Sequence, residues 1–383
     1  MIPFNKPYIS EKSLDYIKSA YNSGKHCGNY DWGSKCIKNM KENYSFKDVF
    51  LVPSCTSALE MGALLLGISP GDEVIMPSYT FSSTANSVMQ FGAKPIFCEI
   101  SPFTMNMDPS CLKELINERT KLIMPIDYAG VSCDIEIIKK IAKDHSIPIM
   151  VDSAQSLGSK DSNDDWCGSQ ADLAATSFHE TKNISCGEGG ALVVNNEKLI
   201  DRAYILQEKG TDRKKVIDGI KSKYSWVDKG SSYLLSDLLA AMLYSNLEDS
   251  NKIKEHRSKV TELYKNITKK YAKNINVISE FNLARYNHHA FYIVFQSERI
   301  RNTFIQYLKE KYNIYAYIGY IPLHSSDMGL KLGYLPNDLP ITEEIGKTIV
   351  RLPVYPELGM SEEKLEILKI GIDYSLEYSL SIQ

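Results

Sequence analysis

The chain has 383 residues, enough for two domains or for one large α/β domain with an appendage. Charged residues make up 24% of it and the formal net charge is −3, so no basic field invites nucleic acid. The longest apolar run, around Ala63-Leu64-Leu65-Leu66, is broken by glycines before it reaches membrane-spanning length, and Met1-Ile2-Pro3-Phe4-Asn5-Lys6 lacks the apolar core of a signal peptide.

Cys27, Cys36, Cys55, Cys98, Cys111, Cys133, Cys167 and Cys186 are scattered without a Cys-x-x-Cys pair. That pattern points to free thiols in a reducing cytoplasm, not to a disulfide framework or a zinc site. The histidines lack metal spacing as well, since the adjacent His288 and His289 would face opposite sides of a strand. No metal is expected.

In chain order, residues 49–52 read as a short buried strand, followed by Pro53-Ser54 and a helix from Thr56 to Leu66. Residues 74–76, 96–98, 122–124 and 147–151 are further apolar runs bounded by turn residues, with a helical pattern from Ile135 to His145. Residues 173–176 and 191–194 add two more strands. This alternation with continuously apolar strands predicts a mostly parallel sheet covered on both faces. Around Ser250 the composition shifts: residues 251–275 are lysine-rich and helical, while 290–295 and 314–317 read as strands of a smaller α/β unit. The expected division is 1–250 and 251–383.

Ligands of such sheets bind at the carboxyl ends of the strands, and four segments there carry chemistry. Pro53-Ser54-Cys55-Thr56-Ser57 opens a helix directly after a strand, where unpaired N–H groups and the helix dipole favour an anion such as phosphate. Pro77-Ser78-Tyr79-Thr80-Phe81 places an aromatic ring where it could stack on a flat cofactor. Asp152 ends an apolar strand, and burying it is costly without a cationic partner. A cation about 3 Å away at an effective dielectric near 20 contributes roughly 5 kcal/mol, enough to hold a proton on a pyridine ring.

The fourth segment is Ser177-Phe178-His179-Glu180-Thr181-Lys182, followed by Gly187-Glu188-Gly189-Gly190. A lysine between two buried strands is desolvated, which favours the neutral amine that forms a Schiff base. Taken singly, each segment has an ordinary explanation: a serine N-cap, a core aromatic, an N-cap aspartate, a surface lysine on a glycine turn. Together they supply what pyridoxal 5′-phosphate requires. The glycines after Cys186 read as close-packing spacers beneath the site.

These four segments resemble the DegT/DnrJ/EryC1/StrS sugar aminotransferase family, a branch of the fold-type I pyridoxal-phosphate transferases, and the resemblance runs from Pro3 to about Leu376. Residues 71–81, Gly230-Ser231-Ser232-Tyr233-Leu234 and Tyr320-Ile321-Pro322-Leu323-His324 bring the chain nearest to members that aminate C4 of a dTDP-linked 4-keto-6-deoxyhexose. The resemblance implies that Lys182 bonds the cofactor and moves the substrate proton, and that Asp152 pairs with the pyridinium nitrogen. It implies Gln155 beside the phenolic oxygen, Phe81 over the ring, and Thr56, Ser57 and Ser177 as donors to the phosphate. It also implies L-glutamate as amino donor and a cytoplasmic homodimer with its sites near the subunit interface.

Many relatives add an asparagine from the partner subunit in a Gly-Tyr-Asn-Tyr-Arg segment. Here Ser232 stands in the asparagine's place with a shorter reach, and Leu234 replaces the arginine. Tyr320 and His324 are candidate liners of the substrate cleft; the competing reading is a proline-flanked turn packing one domain on the other. Family dehydratases carry a histidine where this chain has Lys182, which argues against that activity. The gluco-epimer-forming 4-aminotransferase and a non-catalytic regulatory paralogue stay open at this point.

Overall fold

The computed structural model describes residues 1–277 and 285–382. Seven strands build the larger sheet: β1 (Asp48–Val52), β2 (Glu73–Pro77), β3 (Lys94–Cys98), β4 (Thr120–Ile123), β5 (Met150–Asp152), β6 (Leu173–Ser177) and β7 (Gly190–Val194). Hydrogen bonding orders them as β3-β2-β4 and β5-β6-β7-β1, and a parallel bridge between Ile123 and Ile149 joins the two halves. β7 runs antiparallel to both neighbours and the other pairings are parallel, as the sequence alternation predicts.

Every residue of β1, β2, β6 and β7 is buried, because helices cover both faces. Phe50, Val74, Met150 and Leu192 point to one face, where they meet Ala58, Leu59 and Met61 of the helix Cys55–Leu65. Their strand neighbours Leu51, Ile75, Val151 and Val193 point to the other, against the helices Asp31–Tyr44 and Asp237–Glu248. β5 begins later than the apolar run 147–151: Pro148 has no N–H to give a ladder, and the register with β6 starts at Met150.

The second sheet consists of β8 (Ile275–Val277), β9 (Phe291–Phe295), β10 (Tyr317–Ile318) and β11 (Ile349–Leu352), in the antiparallel order β10-β11-β9-β8. The strand expected at 314–317 is displaced to Tyr317–Ile318. Ile314 instead pairs in parallel with Ile2: the Ile2 amide donates to the Asn313 carbonyl at 2.9 Å and the Tyr315 amide to the Ile2 carbonyl at 3.0 Å. Residues 2–5 thereby run from the second sheet towards the loop after β6, where Asn5 Nδ2 donates to the Glu180 carbonyl at 3.3 Å.

Candidate active site

The carboxyl ends of β1, β2, β5 and β6 open on a cavity of ≈ 390 Å³, within the roughly 300–1,000 Å³ usual for small-molecule sites. β11 and the loop carrying Tyr320 form its far wall. Lys182, Asp152, Thr56, Phe81, Gln155, Ser177 and Tyr320 all line it.

Asp152 ends β5 and is buried. Its carboxylate accepts from the Thr84 hydroxyl at 2.8 Å and the Ala154 amide at 3.2 Å, and Thr84 is itself 2.8 Å from the Thr80 hydroxyl. Burial holds its pKa above the ordinary carboxylate value, opposed by those two donors and by the charge of Lys182. No cation lies within ion-pair distance among the described residues, so the carboxylate lacks a full counter-charge.

Lys182 sits half-buried on the connection between the antiparallel strands β6 and β7. Its amide donates to the His179 carbonyl at 2.9 Å, which fixes the turn, and its Nζ has no carboxylate partner among the described residues. Ser177, buried at the end of β6, lies on the same cavity five residues upstream.

The anion-binding end is built by close approach. Ser54 caps the helix Cys55–Leu65 by accepting from the Ser57 amide at 3.0 Å, and the Ser57 hydroxyl is 3.0 Å from that same oxygen. Ser57 is thus tied to Ser54 and does not line the cavity, whereas Ser54 and Thr56 do. The amides of Cys55 and Thr56, in the first turn, have no acceptor within the helix by position. Gly190 makes this packing possible, because a Cβ there would lie 2.5 Å from the Cys55 nitrogen and the Ser54 carbonyl carbon. Gly189 is similarly tight, with Cys186 Sγ 2.8 Å from its would-be Cβ.

Gln155 is fixed from both ends: its Oε1 accepts from the Ala129 amide at 2.6 Å and its Nε2 donates to the Tyr320 hydroxyl at 2.9 Å. Phe81 is largely exposed, with its ring centroid 6.1 Å from that of Tyr320.

Two candidates lie elsewhere. His324 is fully buried and does not line the cavity: Nδ1 is 2.7 Å from the Ser78 hydroxyl and Nε2 is 3.2 Å from Glu343. The expectation that it lines the substrate cleft is corrected, since the turn after Pro322 directs it into the packing between the two sheets. Ser232 is exposed and remote from the cavity of its own chain, its backbone bridged to Glu208.

Sequence reasoning passed over several residues in the wall or directly behind it. Thr84 bonds Asp152 from a different segment. His289 Nδ1 contacts Asn183 at 3.0 Å and Arg257 donates to the carbonyls of His288 and His289 at 2.9 and 2.5 Å. Burial pulls the Arg257 pKa down to about 10 and holds His289 well below the usual imidazole value. Phe4 and Arg351 complete the far side. None of these stands in a local motif; only the tertiary fold assembles them.

The sequence pattern of the DegT/DnrJ/EryC1/StrS aminotransferase family matches residues 7–368. The chain belongs to that family. It is 30% identical over 374 residues to the spore coat polysaccharide biosynthesis protein SpsC of Bacillus subtilis (strain 168), covering 94% of this chain and 93% of that one. Among solved structures, the apo form of the putative sugar aminotransferase Spr1654 from Streptococcus pneumoniae superposes with a TM-score of 0.90 at 24% identity, covering 100% and 99% of the two chains. A DegT DnrJ EryC1 StrS aminotransferase from Brucella abortus does so with a TM-score of 0.81 at 27% identity over 94% of each chain. The α/β architecture expected of a fold-type I transferase is the one these relatives share.

Proposed function

We propose that this aminotransferase uses pyridoxal 5′-phosphate to move an amino group from L-glutamate to C4 of a dTDP-4-keto-6-deoxyhexose, giving dTDP-4-amino-4,6-dideoxygalactose. The observation that carries the cofactor assignment is the pairing of Lys182 and Asp152 on one cavity, a lysine without a carboxylate partner facing a buried carboxylate without a cationic one. Asp152 would pair with a protonated ring nitrogen, and the first turn at Thr56 together with Ser177 would hold the phosphate. Phe81 offers a face for the ring. The bound cofactor supplies an electron sink for the negative charge that develops on the substrate carbon.

The chain's own groups then divide the work. Lys182 Nζ takes the proton from the donor's α-carbon and returns one to C4 of the sugar. Asp152 keeps the ring nitrogen protonated, and Thr84 orients that carboxylate. Gln155 and Tyr320, bonded to one another, close the wall beside the ring and limit water.

The dTDP-sugar assignment, and with it enterobacterial common antigen or O-antigen as the end product, rests on the sequence resemblance at residues 71–81 and 320–324, and the name of the Bacillus relative supports a role in polysaccharide biosynthesis. Exposed Ile217, Ile220, Tyr224 and Trp226, close in sequence to Ser232, support a homodimer in which that segment approaches the partner's site. The chain is assigned to the cytoplasm, and no helix among the described residues is long and apolar enough to cross a membrane. The division at residue 250 is supported by the helix Asp237–Glu248 packing on the larger sheet and Ser250–Thr268 on the second core.

Purified protein should absorb near the visible–ultraviolet border and lose that band on adding glutamate, and Lys182→Ala should abolish both the band and turnover. A fully active Lys182→Ala protein would sink the assignment. Incubation with dTDP-4-keto-6-deoxyglucose and glutamate, with NMR of the product's C4 configuration, tests the sugar and separates the galacto from the gluco epimer.

A further inference from the structure

His289 lines the cavity, and no step above uses it. It stands two residues before β9 and is partly buried. Its backbone is held from two sides. Arg257 donates to the carbonyls of His288 and His289 at 2.9 and 2.5 Å. Asn287 ties the same stretch to the loop after β5: its Nδ2 donates to the carbonyls of Gln155 and Leu157 at 2.8 and 3.0 Å, and its Oδ1 accepts from the His289 amide at 3.0 Å. The imidazole therefore stands on a fixed backing.

Which ring nitrogen carries the hydrogen follows from its neighbours. Asn183, next to Lys182, bridges the Asn287 carbonyl and the His289 ring. A carbonyl only accepts, so Asn183 turns its Nδ2 to that oxygen, at 2.8 Å, and its Oδ1 to His289 Nδ1, at 3.0 Å. Oδ1 also only accepts, and Nδ1 therefore carries the hydrogen. Burial and the charges of Lys182, Arg257 and Arg351 hold the imidazole well below its usual pKa, so the ring is neutral near pH 7. Nε2 is left with a lone pair, and it makes no hydrogen bond to the described residues.

Near the reacting carbons the two substrates bring a carboxylate and a keto oxygen, which only accept, and an ammonium and hydroxyls, which donate. The three cations around His289 disfavour an ammonium there, which leaves a hydroxyl. In a 4-keto-6-deoxyhexose C5 carries the methyl group and the ring oxygen, so the one hydroxyl adjacent to C4 is at C3. We propose that Nε2 of His289 accepts a hydrogen bond from the C3 hydroxyl of the sugar and so seats C4 beside Lys182. This rests on the aminotransferase reading and its hexose substrate.

Two amides replace the two halves of the imidazole. His289→Asn puts an amide N–H where Nδ1 stands, keeping the bond to Asn183, and removes the acceptor; His289→Gln reaches the Nε2 position with an amide oxygen. kcat/KM is measured with dTDP-4-keto-6-deoxyglucose and with dTDP-4-keto-3,6-dideoxyglucose, which lacks the C3 hydroxyl. Loss of the cofactor band on adding glutamate alone reads the first half-reaction. Leaving the enclosed hydroxyl without its acceptor is expected to lower kcat/KM for the full sugar by about 5- to 150-fold in His289→Asn. With the 3-deoxy sugar, and in the glutamate half-reaction, the loss should shrink to within about twofold. His289→Gln should recover part of the loss.

A loss of equal size with both sugars overturns the proposal, because His289 then reads something other than the C3 hydroxyl. So does a loss confined to the glutamate half-reaction, which would assign Nε2 to the donor's ammonium. Equal kcat/KM with the two sugars in wild type overturns it without any variant. If His289→Asn fails to fold, His289→Phe decides, since it keeps a ring and removes both nitrogens: a preference for the hydroxylated sugar equal to that of wild type overturns the assignment. Failure of the aminotransferase reading is distinct, and shows as wild type without cofactor band or turnover.

Discussion

Gly190→Ala is the sharpest probe of how the anion-binding end is built. The added Cβ would lie 2.5 Å from the Cys55 nitrogen and the Ser54 carbonyl carbon, while ordinary contact begins near 3.4 Å. Both obstacles are backbone, so no rotamer change relieves them, and strand and helix must separate by about 0.9 Å. Overpacking of this kind costs about 1–3 kcal/mol of stability. The same displacement moves the first-turn amides of the helix Cys55–Leu65 away from the phosphate. Forfeiting one hydrogen bond to a charged group is worth about 1.5–3 kcal/mol, or roughly 10- to 150-fold in cofactor affinity. Absorbance titration of the cofactor-free protein with pyridoxal 5′-phosphate measures the affinity, and thermal melting measures the stability. A Gly190→Ala protein with wild-type affinity and wild-type melting temperature would show that the close approach does not set the donors' position.

Two further expectations concern buried titratable groups. Asp152→Asn should raise the melting temperature of the cofactor-free protein at neutral pH while weakening cofactor binding. The sign follows from the raised carboxyl pKa: above the unfolded value near 4, the folded cavity retains a proton that the unfolded chain has lost, so stability falls as pH rises through that window. Equal melting of wild type and variant across pH 4–8 would refute it. His288 behaves oppositely. Burial, with Lys254 and Arg257 nearby, pulls its pKa down to about 3, and its Nδ1 lies 2.7 Å from the Thr261 hydroxyl. Below the unfolded value of about 6.5 only the unfolded chain binds the proton, so at pH 5 this group alone withdraws about 2 kcal/mol. His288→Gln should flatten the loss of stability between pH 7 and 5, as read by urea unfolding at each pH.

Why some of the site was legible and the rest was not follows from where its signals reside. Asp152 and the Ser177–Lys182 pair stand at the ends of short apolar strands, and a strand end is visible in a single stretch of sequence. The helix start after β1 was equally plain, but which of its residues face the ligand was not. Ser54 spends its hydroxyl on the Ser57 amide, a detail decided by the N-cap torsions and not by residue type. His324 misled because a proline-flanked Leu-His segment looks the same whether its ring enters a cleft or a core. Ser78, 246 residues upstream, decides the matter: its hydroxyl accepts from the His324 amide at 3.0 Å and lies 2.7 Å from Nδ1 of the ring. Arg351 carried no signal, being one arginine in a four-residue strand whose meaning comes from Phe4 and Tyr320.

The pairing of β1 with β7 has a consequence for how the protein is made. Residues 48–52 leave the ribosome early, yet their hydrogen-bond partners are residues 190–194. At about 5–20 residues per second, the nascent strand waits roughly 7–30 s for its neighbour. Throughout that interval Val49-Phe50-Leu51-Val52 presents an unsatisfied apolar edge, open to chaperones or to other unfinished copies. Slowing translation within residues 53–190 should therefore reduce soluble yield more than slowing it after residue 194.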